Sequence, residues 1–282
     1  MKMSTGRLSY KVVEGWGKLP EGWTFKQVAG VAVDSKDRVL VLCRGTNPII
    51  VFSREGEFIS SWGKDVFESA HGAFVDRNDN FYCVDNGDHT VRKYSRDGEL
   101  LLTLGREDIP GEPGKPFNKP TDLAVSPQGE LFITDGYGNS RVHRFTQEGE
   151  LIKSWGDLGT GPGQFNIPHG VWADRKRVYV ADRQNNRIQI FTHDGEYIEE
   201  WGGFNLPCDI YIDDQNRVYV PELRSRLSIL NLKGEVLLRI GGTSLKTPGE
   251  FVAPHCVWKD SKNAFYVGEA LEGQRIQKFI PH

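Results

Sequence analysis

The chain lacks most of what would announce a membrane, a secretory route or a cysteine-held metal. Its 282 residues include only two methionines and four cysteines. Cys43, Cys83, Cys208 and Cys256 are widely separated, without a CxxC pair, so buried reduced thiols are expected rather than a disulfide framework. Residues 1–13 have no apolar core of the kind a signal peptide needs, and no stretch approaches the ~20 apolar residues of a membrane span. A cytoplasmic protein with no membrane contact is the expectation. An excess of charge of one sign is missing as well. Lys and Arg number 35 against 38 Asp and Glu, interspersed, for a net charge of −3, which does not favour a nucleic-acid partner. Runs of helical period are few, which disfavours a helical bundle.

What is present is repetition and glycine, 32 residues of it. Six segments align on an entry loop, an apolar strand ending in Asp, a second and third strand, a Gly turn, and a fourth strand that closes in Trp-Gly or a similar pair. The closing strands read FISSWG (Phe58 to Gly63), LLLTLG (Leu100 to Gly105), LIKSWG (Leu151 to Gly156), YIEEWG (Tyr197 to Gly202) and VLLRIG (Val236 to Gly241). The sixth copy stops before its fourth strand, and a matching strand stands at the other end of the chain, YKVVEGWG (Tyr10 to Gly17). Each copy holds roughly 40 residues in short strands of period two, the size of one propeller blade. The turns SREGE, SRDGE, TQEGE, THDGE and NLKGE place Gly where a hairpin needs positive φ. The expected fold is therefore all-β, a six-bladed propeller spanning residues 1–282 as one domain, its last blade closed by the N-terminal strand.

In such a fold the loop entering the inner strand and the loop joining the second and third strands face one site. The six entry positions carry Ala29, His71, Thr121, His169, Cys208 and His255. One histidine after proline at a strand start is usually a structural hydrogen-bonder. Three on alternate blades are different, because structure gives no reason to skip every second blade. Imidazoles converging from three sides suit Zn²⁺, with nitrogen ligands at about 2.0–2.1 Å and an open fourth position; Mn²⁺, Fe²⁺ or Co²⁺ could also fit.

The second loop carries Arg44 in blade one, Tyr137 in blade three and Arg183 in blade four. Two guanidiniums and a phenol beside a metal make an anion pocket with a proton acceptor, and Arg suits bidentate carboxylate contact. The expected partner is a small carboxylate-bearing molecule. By contrast, Asn139, Asn185, Asn186, Arg141, Arg187 and Arg275 recur as the repeat's own signature, and Asp85, Asp135 and Asp182 read as caps for backbone N–H groups. Trp62, Trp155 and Trp201 read as blade packing.

These segments resemble NHL repeats. The runs PHG (Pro168 to Gly170), DGYGNSR (Asp135 to Arg141), ADRQNNRIQIF (Ala181 to Phe191) and APH (Ala253 to His255) resemble the catalytic core of the peptidyl-α-hydroxyglycine α-amidating lyases, over nearly the whole chain. The resemblance implies that His71, His169 and His255 hold a catalytic zinc, that Tyr137 abstracts a proton, and that Arg44 and Arg183 supply binding and charge. It implies cleavage of an N-acyl α-hydroxyglycine to an amide and glyoxylate, and departures from the family leave room for a smaller ureido or acyl derivative. There are departures. Cys256 replaces an aspartate that helps hold a structural calcium in that family, so calcium is not expected here. Ala253 replaces a methionine, and Gly138 a disulfide cysteine, consistent with a reducing compartment. No monooxygenase domain accompanies the repeats, so a hydroxylated substrate would come from elsewhere. Two alternatives stay open: a metal-dependent hydrolase or lactonase on the same scaffold, and a non-catalytic NHL module that binds protein or RNA.

Overall fold

Strands of period two separated by glycine turns bury their apolar side chains by stacking sheet on sheet. The computed structural model describes residues 2–5, 8–112 and 114–282. The described residues form six antiparallel sheets in a propeller arrangement, with one small parallel pair besides and, as the only helical element, the short 3-10 turn Arg183–Asn185. Among the described residues no helix is long and apolar enough to cross a membrane.

Blade one is Val28–Val33, Val39–Cys43, Ile49–Phe52 and Phe58–Trp62. Blade two is Ala70–Val75, Phe81–Asp85, Thr90–Tyr94 and Leu100–Gly105. Blade three is Asp122–Val125, Leu131–Asp135, Arg141–Phe145 and Leu151–Trp155, and blade four is Pro168–Ala173, Arg177–Asp182, Arg187–Thr192 and Tyr197–Trp201. Blade five begins with a strand of only two residues, Tyr211–Ile212, then Arg217–Glu222, Arg226–Asn231 and Val236–Gly241. Its start is shortened because the Asp209 side chain takes the N–H of Ile210 at 2.7 Å, and Pro207 has no N–H to give. Blade six is Pro254–Lys259, Phe265–Glu269 and Arg275–Pro281, completed from the N-terminus. Blades one, five and six lie in a compact unit of Met1–Asp65 with Tyr211–His282, and blades two to four in another, Val66–Ile210.

In the first unit the closing strand runs antiparallel to Arg275–Pro281, with Tyr10 opposite Pro281. It spans Leu8–Val13 rather than the expected Tyr10 to Gly17, because the chain turns at Glu14 and Gly15, where φ is 67°. Trp16 still performs the closing role, its ring 5.4 Å from Phe52 and 4.9 Å from Tyr266. A fifth strand, Lys2–Thr5, adds to the outer edge of this blade, an element the sequence pattern did not announce. Between blades five and six the core centres on Phe265, which stacks on Phe279 at 4.7 Å and meets Tyr10 at 4.9 Å and Tyr219 at 5.4 Å. Truncating Phe265 to alanine is expected to destabilise the protein by about 3–5 kcal/mol, read as a lowered urea midpoint.

In the second unit Trp155 bridges blades as expected, 6.4 Å from Phe132 and 5.9 Å from Phe191 of the next blade. The outer strands of blades one to five each carry a register shift against their neighbour. Such bulges twist an outer edge and discourage pairing with another chain, even where apolar pairs such as Leu151 and Ile152 stay exposed.

Candidate metal centre and anion pocket

Each of the three histidines sits in a local break of its inner strand. Pairing slips between Ala70 and Ala73, between Pro168 and Val171, and between Pro254 and Cys256, so His71, His169 and His255 leave the regular ladder. A bulge of this kind re-aims a side chain that a straight strand would send elsewhere. The entry loops are pinned from the second strand. Asp85 accepts from the N–H groups of Glu68 and Ser69 at 2.7 and 2.8 Å, Asp182 from Asn166 at 2.8 Å, and Glu269 from Val252 at 2.7 Å. The capping role expected for Asp85, Asp135 and Asp182 is thus the observed one, with Asp135 taking the N–H of Asn118 at 2.9 Å. Glu269 does the same work in blade six, where blades two, three and four carry Asp.

The tautomers follow from the partners. His71 Nδ1 lies 2.7 Å from the carbonyl oxygen of Thr121, His169 Nδ1 2.7 Å from that of Cys208, and His255 Nδ1 2.9 Å from that of Ala29. A carbonyl only accepts, so each Nδ1 carries the proton and each neutral ring keeps its lone pair on Nε2. The acceptors are the three entry positions without histidine. Alternate blades therefore divide the labour, one presenting an imidazole and the next the carbonyl that orients it. Gly72 and Gly170 permit the approach: a Cβ on Gly170 would stand 2.6 Å from the Cys208 oxygen, and one on Gly72 3.0 Å from the Thr121 oxygen. In the second unit the ligand-type atoms of His71 and His169 lie within 4.8 Å of each other, and His255 in the first unit is buried like them. Imidazoles of this kind could hold a metal ion.

Tyr137 and Arg183 join this group. The Tyr137 hydroxyl is 3.0 Å from His71 Nε2 and 3.1 Å from His169 Nε2. One phenol proton cannot serve two lone pairs, so these two imidazoles are arranged for a cation, either a proton or a metal. Arg183 places NH1 3.4 Å from the same hydroxyl and its guanidinium 5.4 Å from the centre of the Tyr137 ring. It is buried, and its Nε has no hydrogen-bond partner. Arg44, at the matching position of blade one, donates from NH1 to Gln27 at 3.1 Å. Direct contacts thus unite His71, His169, Tyr137 and Arg183, whereas the contact shown for Arg44 is with its own blade. A side chain at Gly138 would run into Asn118, so the loop that holds Tyr137 has no room for a cysteine there.

The remaining expectations can be placed. Asn185 and Arg187 bind Asp182 at 2.8 Å each, and Arg275 pairs with Glu269, as repeat-specific contacts. His143 is buried between Asp135 and Ser154, at 3.1 and 2.7 Å, and takes no part in the cluster. The four cysteines are buried and outside any disulfide, and burial pushes the Cys43 thiol up to about 12, which leaves it unreactive. One feature escaped sequence reading. Beside Thr121, the Asp122 carboxyl is pushed well above the usual carboxylate range by burial and by the carboxylate of Asp209. Two acids on different blades give no sequence signal that they meet.

Known proteins resemble this chain at two levels. The NHL repeat family matches residues 117–145 and 165–191. Human NHL repeat-containing protein 3 is 34% identical over 302 aligned residues, covering 98% of this chain and 86% of the human one. The chain is a member of the NHL-repeat family. This NHL protein also aligns with a probable peptidyl-α-hydroxyglycine α-amidating lyase of Caenorhabditis elegans, 39% identical over 85 residues, which is 29% of this chain and 24% of the lyase. Among solved structures a gluconolactonase from Xanthomonas campestris superposes with a TM-score of 0.73 at 15% identity, covering 100% of this NHL protein and 94% of the lactonase. That likeness is one of fold.

Proposed function

We propose that this NHL protein is a metal-dependent carbon–nitrogen lyase that cleaves an N-acyl or ureido α-hydroxyglycine into an amide and glyoxylate. The observation that carries the reading is the contact array in one place: two oriented imidazoles, a phenol oxygen between their Nε2 atoms, and a buried guanidinium against that phenol. The partial likeness to an amidating lyase supports it. His71, His169 and His255 would hold the ion through Nε2, and zinc suits three neutral nitrogens with one position left open. Once bound, a divalent cation supplies Lewis acidity that makes the substrate hydroxyl a better proton donor.

The chain's own residues carry the rest. Arg183, with a buried Nε lacking a hydrogen-bond partner, pairs with the substrate carboxylate and fixes the carbinol carbon next to Tyr137. Tyr137 Oη, as phenolate, accepts the proton of the α-hydroxyl. The C–N bond breaks as the C–O bond becomes a carbonyl, and the electron pair goes to nitrogen. The proton held at Tyr137 passes to that nitrogen, so the amide leaves neutral and the phenolate is regenerated. Arg183 keeps positive charge beside the oxygen that must be anionic to begin this cycle.

Arg44 is assigned as a further contact to the anionic substrate. The cytoplasmic location and a single 1–282 domain remain part of this reading, the first supported by four buried cysteines outside any disulfide. The test is direct. Zinc-loaded protein given N-benzoyl-α-hydroxyglycine should release benzamide and glyoxylate in equal amounts, and chelator-stripped protein should not. Release of neither product, with zinc bound, would favour the interaction-module alternative.

A further inference from the structure

The three blades that lack an entry histidine are not equivalent. Ala29, Thr121 and Cys208 each lend a carbonyl to an imidazole, but only Thr121 adds a hydroxyl, and it is fully buried. Thr121 Oγ1 lies 2.9 Å from Thr134 Oγ1 and 2.9 Å from the carbonyl oxygen of Pro168. Thr134 Oγ1, equally buried, lies 3.2 Å from the carbonyl oxygen of His169. Carbonyls of their own blade are also in reach, that of Thr134 at 3.2 Å from Thr121 Oγ1 and that of Asp122 at 3.3 Å from Thr134 Oγ1. In the order with the shortest contacts Thr134 donates to Thr121 and Thr121 to the Pro168 carbonyl, at 2.9 Å each; in the reverse order Thr121 donates to Thr134, which reaches the carbonyls of His169 and Asp122. Each order can bring a donor to a carbonyl that flanks the His169 Cα. The Pro168 and His169 carbonyls lie where the register of the inner strand slips, and a buried carbonyl is normally satisfied by a donor.

We infer that Thr121 and Thr134 are positioning residues that set the spacing of His71 and His169. Thr121 carries the carbonyl that orients the ring of His71, and the hydroxyl pair anchors the backbone from which His169 projects. The same Pro168 carbonyl packs against Gly136, immediately before Tyr137, where a Cβ would collide with it. Anchoring Pro168 therefore also fixes the base of the loop that puts the phenol oxygen 3.0 and 3.1 Å from the two rings. The Cys208 Sγ lies 3.6 Å from the carbonyl of Leu206 in its own loop. The significance for zinc rests on the metal-centre reading above, whereas the positioning of the rings does not.

Thr121→Val keeps the shape and removes the hydroxyl, Thr121→Ser keeps the hydroxyl, and Thr134→Val repeats the test from the other partner. Zinc affinity is read by competition with a chromophoric chelator. Removal of either hydroxyl should weaken zinc by about 10–100-fold, the range for outer-shell partners of metal ligands, with Thr121→Ser restoring it. A crystal structure of metal-free Thr121→Val should show the Tyr137 hydroxyl out of hydrogen-bond reach of at least one of the two Nε2 atoms. Unchanged zinc affinity in both valine variants, with both phenol contacts kept, would overturn the inference. If the parent binds no zinc the metal-centre reading fails, and the metal-free structure alone decides the positioning role. Should Thr121→Val not fold, Thr134→Val supplies both measurements.

Discussion

Tyr137→Phe is expected to lower kcat for glyoxylate release by about 10²–10⁴-fold, the usual worth of a positioned general base. The variant removes one oxygen from a side chain more than a third exposed, at 36%, so folding should be untouched. The KM should change little, because the carboxylate contact belongs to Arg183. The variant also separates two roles for the oxygen. If Tyr137 serves only to bridge His71 and His169, its loss would change zinc affinity and leave turnover at saturating zinc near that of the parent. Stopped assays over a range of zinc and substrate concentrations distinguish these outcomes.

His169→Ala should be equally severe by a different route. It removes one ligand and leaves the Cys208 carbonyl without its imidazole donor. Zinc affinity is expected to fall by more than the about 10–100-fold typical of outer-shell changes. Turnover should drop to that of chelator-stripped parent at micromolar zinc. Activity retained at such zinc levels would remove the ion from the mechanism.

Much of this arrangement was legible in the residues because the fold repeats. A histidine that recurs at one position in alternate copies needs no coordinates to be placed, and within the second unit the rings of His71 and His169 do lie 4.7 Å apart. Tyr137 and Arg183 were legible for the same reason, since the loop they occupy follows each second strand. Their mutual contact was not, because it depends on the turn of Gly136 to Gly138, packed tightly on Pro168 and Asn118, which brings the phenol between two rings. The hydroxyl of Thr121 carried no signal at all. Its role depends on carbonyls at a slip in the neighbouring blade, and pairing slips are invisible in a single sequence. The strand Lys2–Thr5 was missed because KMST lacks the apolar alternation that marked the other strands. The closing strand ended early for a similar local reason, at the turn of Glu14 and Gly15, although Trp16 beyond it still packs against Tyr266.

The central claim is that the three histidines hold a transition metal, and it is tested most directly by elemental analysis. Protein purified without added metal is measured beside His169→Ala prepared in parallel. The account predicts about one equivalent of zinc in the parent, the stoichiometry of a three-nitrogen site, and almost none in the variant. No transition metal in the parent, and none taken up on titration with zinc, would contradict it.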